Sequence, residues 1–174
     1  MKLREYKEKD AKYILSWINS EREFRMWSAD RYDKYPITEN DINTNYKECS
    51  KLGKFWPITL LDDNNNVIGH LILRNPGKDI TVIRLGFIIV DTRIRGKGYG
   101  KLLVQTAIEY AKNKLNAREI NLGVFANNTN AYNCYKSCGF KEIRIEKNSL
   151  KFKNENWDCV EIVLETILAQ NITI

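Results

Sequence analysis

Six consecutive residues, Arg95-Gly96-Lys97-Gly98-Tyr99-Gly100, combine three glycines with two cations, a composition suited to holding an anion. Glycine lets the main chain come close to a ligand. The unpaired N–H groups at a helix start then converge on one negative charge, aided by the macrodipole. The run stands where that chemistry requires it. Before it, Leu85-Gly86-Phe87-Ile88-Ile89-Val90 reads as a buried strand, and after it Leu103, Ala107, Tyr110, Ala111 and Leu115 recur at helical spacing. Pyrophosphate is the natural occupant of such a strand, loop and helix. The Gly-x-x-x-x-Gly-Lys-Ser/Thr of a P-loop is absent, and the glycines alternate as Gly-x-Gly-x-Gly where a dinucleotide fold has Gly-x-Gly-x-x-Gly. On these six residues alone, a plain glycine-rich turn is the competing reading.

A second constellation lies downstream: Val124, Asn128, Ala131, Tyr135 and the pair Gly139-Phe140, spaced as a strand, a short helix and the opening of another strand. Taken with Arg95-x-x-Gly98-x-Gly100, this order resembles the GCN5-related N-acetyltransferase (GNAT) family. The start of the chain, Leu3-Arg4-Glu5-Tyr6, Asp10-Ala11 and Ile14-Leu15-Ser16-Trp17, is similar to the branch that acetylates ribosomal-protein N-termini and polyamines, as is the position of Trp27. The resemblance implies a mixed α/β fold, a central and largely antiparallel sheet flanked by helices. It implies acetyl-CoA as co-substrate and direct transfer of its acetyl group to a primary amine: a polyamine, a peptide or protein N-terminus, or an amino-bearing small molecule.

Carried over residue by residue, the resemblance puts the pantetheine arm against the main chain of Ile88, Ile89 and Val90, as an added strand. It puts the pyrophosphate on Arg95, Gly96, Lys97, Gly98, Tyr99 and Gly100, with Arg93, Lys97 and Lys101 toward the outer phosphate. Those cations are equally readable as solvated surface charge. Asn127 and Asn128 would meet the pantetheine amides, and Asn128 is also a natural helix N-cap. Tyr135 would give a proton to the departing thiolate, and Tyr132 does not share its face. A Glu stands in part of this branch where the present chain has Gly123, so no general base is assigned. His70 has a suitable unperturbed pKa, but nothing in the family pattern brings it to the amine, and a water chain is the alternative. For the acceptor, Trp27 and Tyr32, with Tyr35 and Trp56 nearby, mix with Glu21, Glu23, Asp30, Asp33 and Glu39 in a wall suited to a cationic amine. Taken singly, such aromatics are more often core and such carboxylates solvent-facing.

Composition is compatible with this reading without selecting it. The 174 residues are expected to form a single domain, 1–174, and 43% hydrophobic residues suffice for a core. The formal charge of +6 favours anionic ligands. It also suits a basic nucleic-acid-associated protein, although no long basic block or nucleic-acid signature appears. A catalytically silent coenzyme A sensor on the same fold is the other alternative. The cysteines at 49, 134, 138 and 159 form no CxxC pair, and His70 is the sole histidine, which argues against a metal site and for free thiols. No segment has the apolar length of a signal peptide or a membrane span. We therefore expect a cytoplasmic protein with no membrane partner, and a homodimer is compatible with the sequence.

The elements that must position these groups follow from pattern. A strand near Lys2–Tyr6 precedes a helix from Asp10 through Asn19, then a loop carrying Met26, Trp27, Tyr32 and Tyr35. A helix follows the capping-box variant Thr38-x-x-Asp41. Phe55–Leu61 and Val67–Leu73 flank Asp62-Asp63-Asn64-Asn65-Asn66 as a hairpin, and Ile80–Val90 is the next strand. After the long helix come a strand at Glu119–Val124, the short helix, and strands near Phe140–Glu146 and Trp157–Leu164. Hairpins followed by alternation with helices give the mixed sheet.

Overall fold

The computed structural model describes residues 1–166. One sheet of seven strands runs through it: β1 (Lys2–Glu5), β2 (Phe55–Leu61), β3 (Val67–Arg74), β4 (Val82–Val90), β5 (Glu119–Phe125), β6 (Lys141–Phe152) and β7 (Glu155–Glu165). Their order across the sheet is β1-β2-β3-β4-β5-β7-β6. Every neighbouring pair is antiparallel except β4 and β5, which are parallel. That parallel pair needs a crossover, supplied by α4 (Tyr99–Leu115). The mixed, largely antiparallel sheet flanked by helices is the architecture expected above.

Each face of the sheet has its own core. Leu103, Val104, Ala107 and Ala111 of α4 recur every three or four residues and bury against Ile83, Leu85, Ile120, Leu122 and Ile162. On the other face Trp17, Phe24, Trp27, Ile42 and Tyr46 pack with Ile72, Phe87 and Ile89. β4 serves both cores because Phe87 takes φ +50 and the register with β3 shifts opposite it, so alternation restarts with the faces exchanged. The hairpin between β2 and β3 follows the reading of its turn residues. The Asp62 carboxylate accepts from the backbone N–H groups of Asn64 and Asn66, at 2.9 and 2.8 Å, and Asn65 adopts φ +63.

Three expected boundaries are corrected. The helix expected from Asp10 to Asn19 is shorter, α1 (Ala11–Ser16), ending at Trp17, and the loop expected after it holds a second helix, α2 (Glu21–Ser28), so Met26 and Trp27 stand on a helix and not in a loop. The restart has a local cause. Ser20 Oγ accepts from the Glu23 N–H at 3.2 Å and the Glu23 carboxylate accepts from the Asn19 N–H at 2.8 Å, a capping arrangement that opens a helix where a loop was expected. Asp10 does not cap α1. Its carboxylate takes two hydrogen bonds from Arg4, at 2.6 and 2.9 Å, and one from Thr59. The strand expected from Ile80 starts at Val82, because Asp79 accepts from both the N–H and the hydroxyl of Thr81 and forms a turn. Finally, β6 and β7 run several residues further than expected and meet at Lys153, where φ is +53. The helix α3 (Glu39–Ser50) begins at Thr38 with the reciprocal Asp41 bonds, as its sequence indicates.

Candidate active site

β4 and β5 pair only at Val82, Ile83 and Arg84, and beyond those residues the two parallel strands part. The opening leads into a cleft of about 840 Å³. One wall is the exposed edge of β4 at Ile88, Ile89 and Val90, whose other edge is bonded to β3. At one end stands the loop after β4, where Arg95, Gly96, Gly98, Gly100 and Lys101 face the cleft. The start of α5 (Thr129–Ser137) closes it with Asn127, Asn128, Cys134 and Tyr135. The far wall comes from the first third of the chain: Trp17, Ile18, Glu23, Met26 and Trp27.

The loop geometry accounts for its glycines. Gly96 and Gly98 adopt φ +78 and +84, a region L side chains rarely enter, and a Cβ at either position would point into open space. Gly98 is the N-cap of α4, so the first N–H groups of that helix open toward the cleft, where an anion would find them. Gly100 faces α5: a Cβ there would touch Cys134 Sγ at 3.8 Å. Among the sequence-predicted residues of this loop, Lys97 and Tyr99 do not line the cleft, although Tyr99 packs against the core beneath it. Arg93 is bound to Asp91, with Nη2 to Oδ2 at 2.6 Å, and this hydrogen bonding holds the Asp91 carboxyl below the ordinary carboxylate range.

Tyr135 lies 8% exposed in the cleft wall with its ring edge-on to Phe140 at 6.4 Å. Burial pushes its hydroxyl well above the ordinary phenol pKa, so it stays protonated at any physiological pH. Asn128 caps α5, its Oδ1 accepting from the Ala131 N–H at 3.4 Å, and it also borders the cleft, so the two roles proposed for it are compatible in one geometry. Cys134 and Cys138 share a turn. The neighbouring Cys138 thiol, with burial, raises the Cys134 thiol above its normal value, while Cys138 lies outside the lining with its Sγ toward the Lys101 carbonyl at 3.9 Å.

The aromatic wall divides. Trp27 borders the cleft, and its Nε1–H donates to the Phe87 carbonyl at 2.9 Å. Tyr32 is not among the residues lining the cleft: its ring stacks on Trp27 at 6.1 Å, and its hydroxyl is buried with no hydrogen-bond partner among the described residues. Trp56 packs against the α4 side of the sheet. His70 is fully buried, bonded through Nε2 to the Tyr46 hydroxyl at 2.8 Å, and burial lowers its pKa to about 3. It is a neutral core residue, as a lone strand histidine usually is.

Trp17, Ile18 and Met26 also line the cleft and were not among the expected site residues, because α1 ends at Trp17 and Met26 stands on α2, a helix the sequence pattern reads as a loop. The sequence also leaves Gly123 unexplained. A Cβ there would stand 2.8 Å from both Cys159 Sγ and Glu161 Oε1 and 2.9 Å from Arg84 Nη2. Glu161 lies directly opposite Gly123 in the register of β5 and β7, and its carboxylate is held by Arg84 at 2.6 and 2.7 Å. The glycine leaves room for an ion pair that ties β4 to β7 across β5 at the last paired residue before the strands part.

Comparison with known proteins bears on the fold and the family. The model of the acetyltransferase (GNAT) family matches residues 13–140. A spermidine N(1)-acetyltransferase of Vibrio cholerae is 25% identical over 143 residues, covering 80% of this chain and 78% of its own length. An uncharacterized N-acetyltransferase of Methanocaldococcus jannaschii is 42% identical over 64 residues, which is 37% of this chain and 28% of that protein. Among solved structures, the Vibrio cholerae spermidine N-acetyltransferase in complex with CoA and spermine superposes with a TM-score of 0.80 at 20% identity, covering 94% of both chains, a likeness of fold. The chain belongs to the GNAT family of acetyltransferases, whose acyl donor is acetyl-CoA.

Proposed function

We propose that this protein moves the acetyl group of acetyl-CoA directly to a primary amine, with a polyamine as the favoured acceptor class and a peptide or protein N-terminus or a small amine as others. The observation that carries the reading is the single cleft in which an unpaired strand edge, a glycine-rich helix start and a protonated tyrosine stand together. Ile88–Val90 offer backbone groups to the pantetheine amides, and Arg95 with the N–H groups around Gly98 and Gly100 holds the diphosphate. Asn127 and Asn128 border the arm. The acetyl carbonyl would then lie between the parted strands, with Tyr135 beside the sulfur. The neutral amine's nitrogen attacks the carbonyl carbon, the carbon–sulfur bond breaks and the Tyr135 hydroxyl protonates the leaving thiolate; the proton that the amine nitrogen sheds on becoming an amide returns through water to the Tyr135 oxygen, so that amine and thioester leave as amide and thiol with the protein unchanged. Holding both reactants supplies much of the acceleration, up to ~7–11 kcal/mol in the best-oriented cases.

Direct transfer is preferred to an acetyl-enzyme because the cysteine in the cleft is unsuited to attack. Cys138 and burial disfavour the Cys134 thiolate, and among the described residues no histidine lines the cleft to take its proton, whereas nucleophilic cysteines have depressed pKa values or a base beside them. Polyamines are favoured because the relative aligned over 80% of the chain is a spermidine acetyltransferase. Trp27, stiffened by the stacked Tyr32, supplies an aromatic edge at the acceptor side. The free thiols of all four cysteines suit a reducing cytoplasm as the place of work. No helix among the described residues is long and apolar enough to cross a membrane. The test is thiol release from acetyl-CoA against a panel of spermidine, spermine, peptides with free N-termini and simple amines. Intersecting double-reciprocal lines are expected; parallel lines would indicate an acetyl-enzyme, and no release with any amine would leave only a coenzyme-binding role.

A further inference from the structure

Among the described residues that line the cleft, Glu23 is the one carboxylate, and it stands beside Arg95 of the phosphate loop. Its Oε1 stands 3.6 Å from Nη1 of Arg95. Its other oxygen, Oε2, accepts from the Asn19 N–H at 2.8 Å, which fixes the side chain at the start of α2. Both partners are partly open to solvent, at 37% and 46% side-chain exposure, so a ligand entering the loop would meet them together. We propose that Glu23 is an internal stand-in for the coenzyme's diphosphate: it orients Arg95 in the free protein and is displaced from it when acetyl-CoA enters. The inference rests on the reading of Arg95 as a diphosphate ligand.

The exchange is chemically simple, since no bond other than ionic contacts changes. Arg95 leaves a part-exposed carboxylate, a weak and solvent-screened contact, for a diphosphate that it can bind through paired N–H groups. Glu23 then lies beside a dianion with its cation withdrawn. That repulsion lowers coenzyme affinity and speeds release of the product, coenzyme A. It also keeps Arg95 from ranging while the site is empty, so the loop needs less ordering when the donor arrives. α2 carries the stand-in on the same face as Trp27, one turn further along, so the helix that borders the acceptor side also reports whether the donor site is filled.

The test compares the parent with Glu23→Gln, Arg95→Met and the double variant, measuring CoA and inorganic pyrophosphate affinity by calorimetry at low and high salt. Glutamine keeps an oxygen for the Asn19 N–H, and an unchanged Tm would confirm that the cap survives. Glu23→Gln should bind CoA roughly 2–5-fold more tightly at low salt, with slower CoA release and a smaller gain at high salt. The double variant should bind no better than Arg95→Met. If Arg95→Met weakens binding while Glu23→Gln leaves it unchanged or weaker, the stand-in role is overturned and the diphosphate reading stands. Were Arg95→Met itself without effect, the diphosphate reading of Arg95 and the stand-in would both be overturned.

Discussion

A tyrosine that serves as proton donor must keep its proton until the thiolate departs, and the burial of Tyr135 does this by disfavouring the phenolate. Tyr135→Phe preserves the ring against Phe140 and removes only the hydroxyl. The expected result is unchanged acetyl-CoA KM with kcat lowered roughly 10²–10⁴-fold, toward the lower end because a thiolate of pKa near ~8.5 leaves fairly well unaided. A kcat within about twofold of the parent, in steady-state assays on folded protein, would remove Tyr135 from the chemistry. Gly98→Val tests the other end of the cleft. At φ +84 a β-branched side chain is strained, and the first turn of α4 would rearrange while the distant core is untouched. Acetyl-CoA at about 100 times its Kd should stabilise the parent by ~2.7 kcal/mol and this variant by almost nothing, read as the shift in Tm. The cleft residues legible in the sequence were those fixed by short-range motif: Arg95, Gly96, Gly98 and Gly100, then Asn127, Asn128 and Tyr135. Trp17, Ile18 and the role of Gly123 were not legible, because they depend on a helix break and a cross-strand neighbour far away in the chain.

At the scale of elements, the parting of β4 from β5 is what makes the cleft, and the ion pair of Arg84 with Glu161 sits at its apex. Strand register brings residues 77 positions apart into bidentate contact. No local pattern announces such a pairing, which is why the strands were foreseen and this junction was not. Glu161→Ala leaves the guanidinium, buried among Asn121 and the strands, without its partner. Removing one member of a buried pair costs roughly 3–5 kcal/mol, and the 23% exposure of Arg84 places this case at or below the lower figure. Arg84→Met with Glu161→Leu should recover much of the loss in a urea melt; a double variant as unstable as the single would show that the carboxylate matters apart from its pairing. Gly123→Ala should itself cost about 1–3 kcal/mol, since a methyl at 2.8 Å from the carboxylate must push the pair aside. Helix limits follow the same logic at shorter range: Thr38 and Asp41 announce α3 in four residues, whereas Ser20 and Glu23 cap α2 in a stretch whose aromatic residues read as a loop.

For the whole molecule, acid stability is dominated above pH ~4.5 by one group, because the chain holds a single histidine and its paired carboxylates titrate lower. His70 is buried between Tyr46 and Tyr6, and desolvation lowers its folded pKa to about 3 against an ordinary 6.5. Between those values the unfolded chain binds a proton that the folded chain does not. Stability therefore rises with pH through this window: it is fully present above about 6.5 and declines on acidification toward about 3, at up to ~1.4 kcal/mol per pH unit. Glu161 acts in the same direction but lower. Its bond to Arg84 depresses the folded pKa, so its contribution is intact above the unfolded carboxylate value and is lost only as pH falls through the folded one. Urea titrations of the parent at half-unit steps from pH 7.5 to 4.5 should thus show a falling unfolding free energy. His70→Gln, which keeps an amide beside the Tyr46 hydroxyl, should be less stable at pH 7.5 yet nearly flat down to pH ~4.5, where carboxylates take over. A parent curve already flat over that interval, or a variant curve as steep as the parent's, would mean that His70 is protonated in the fold and that the Tyr46 contact is made by an imidazolium.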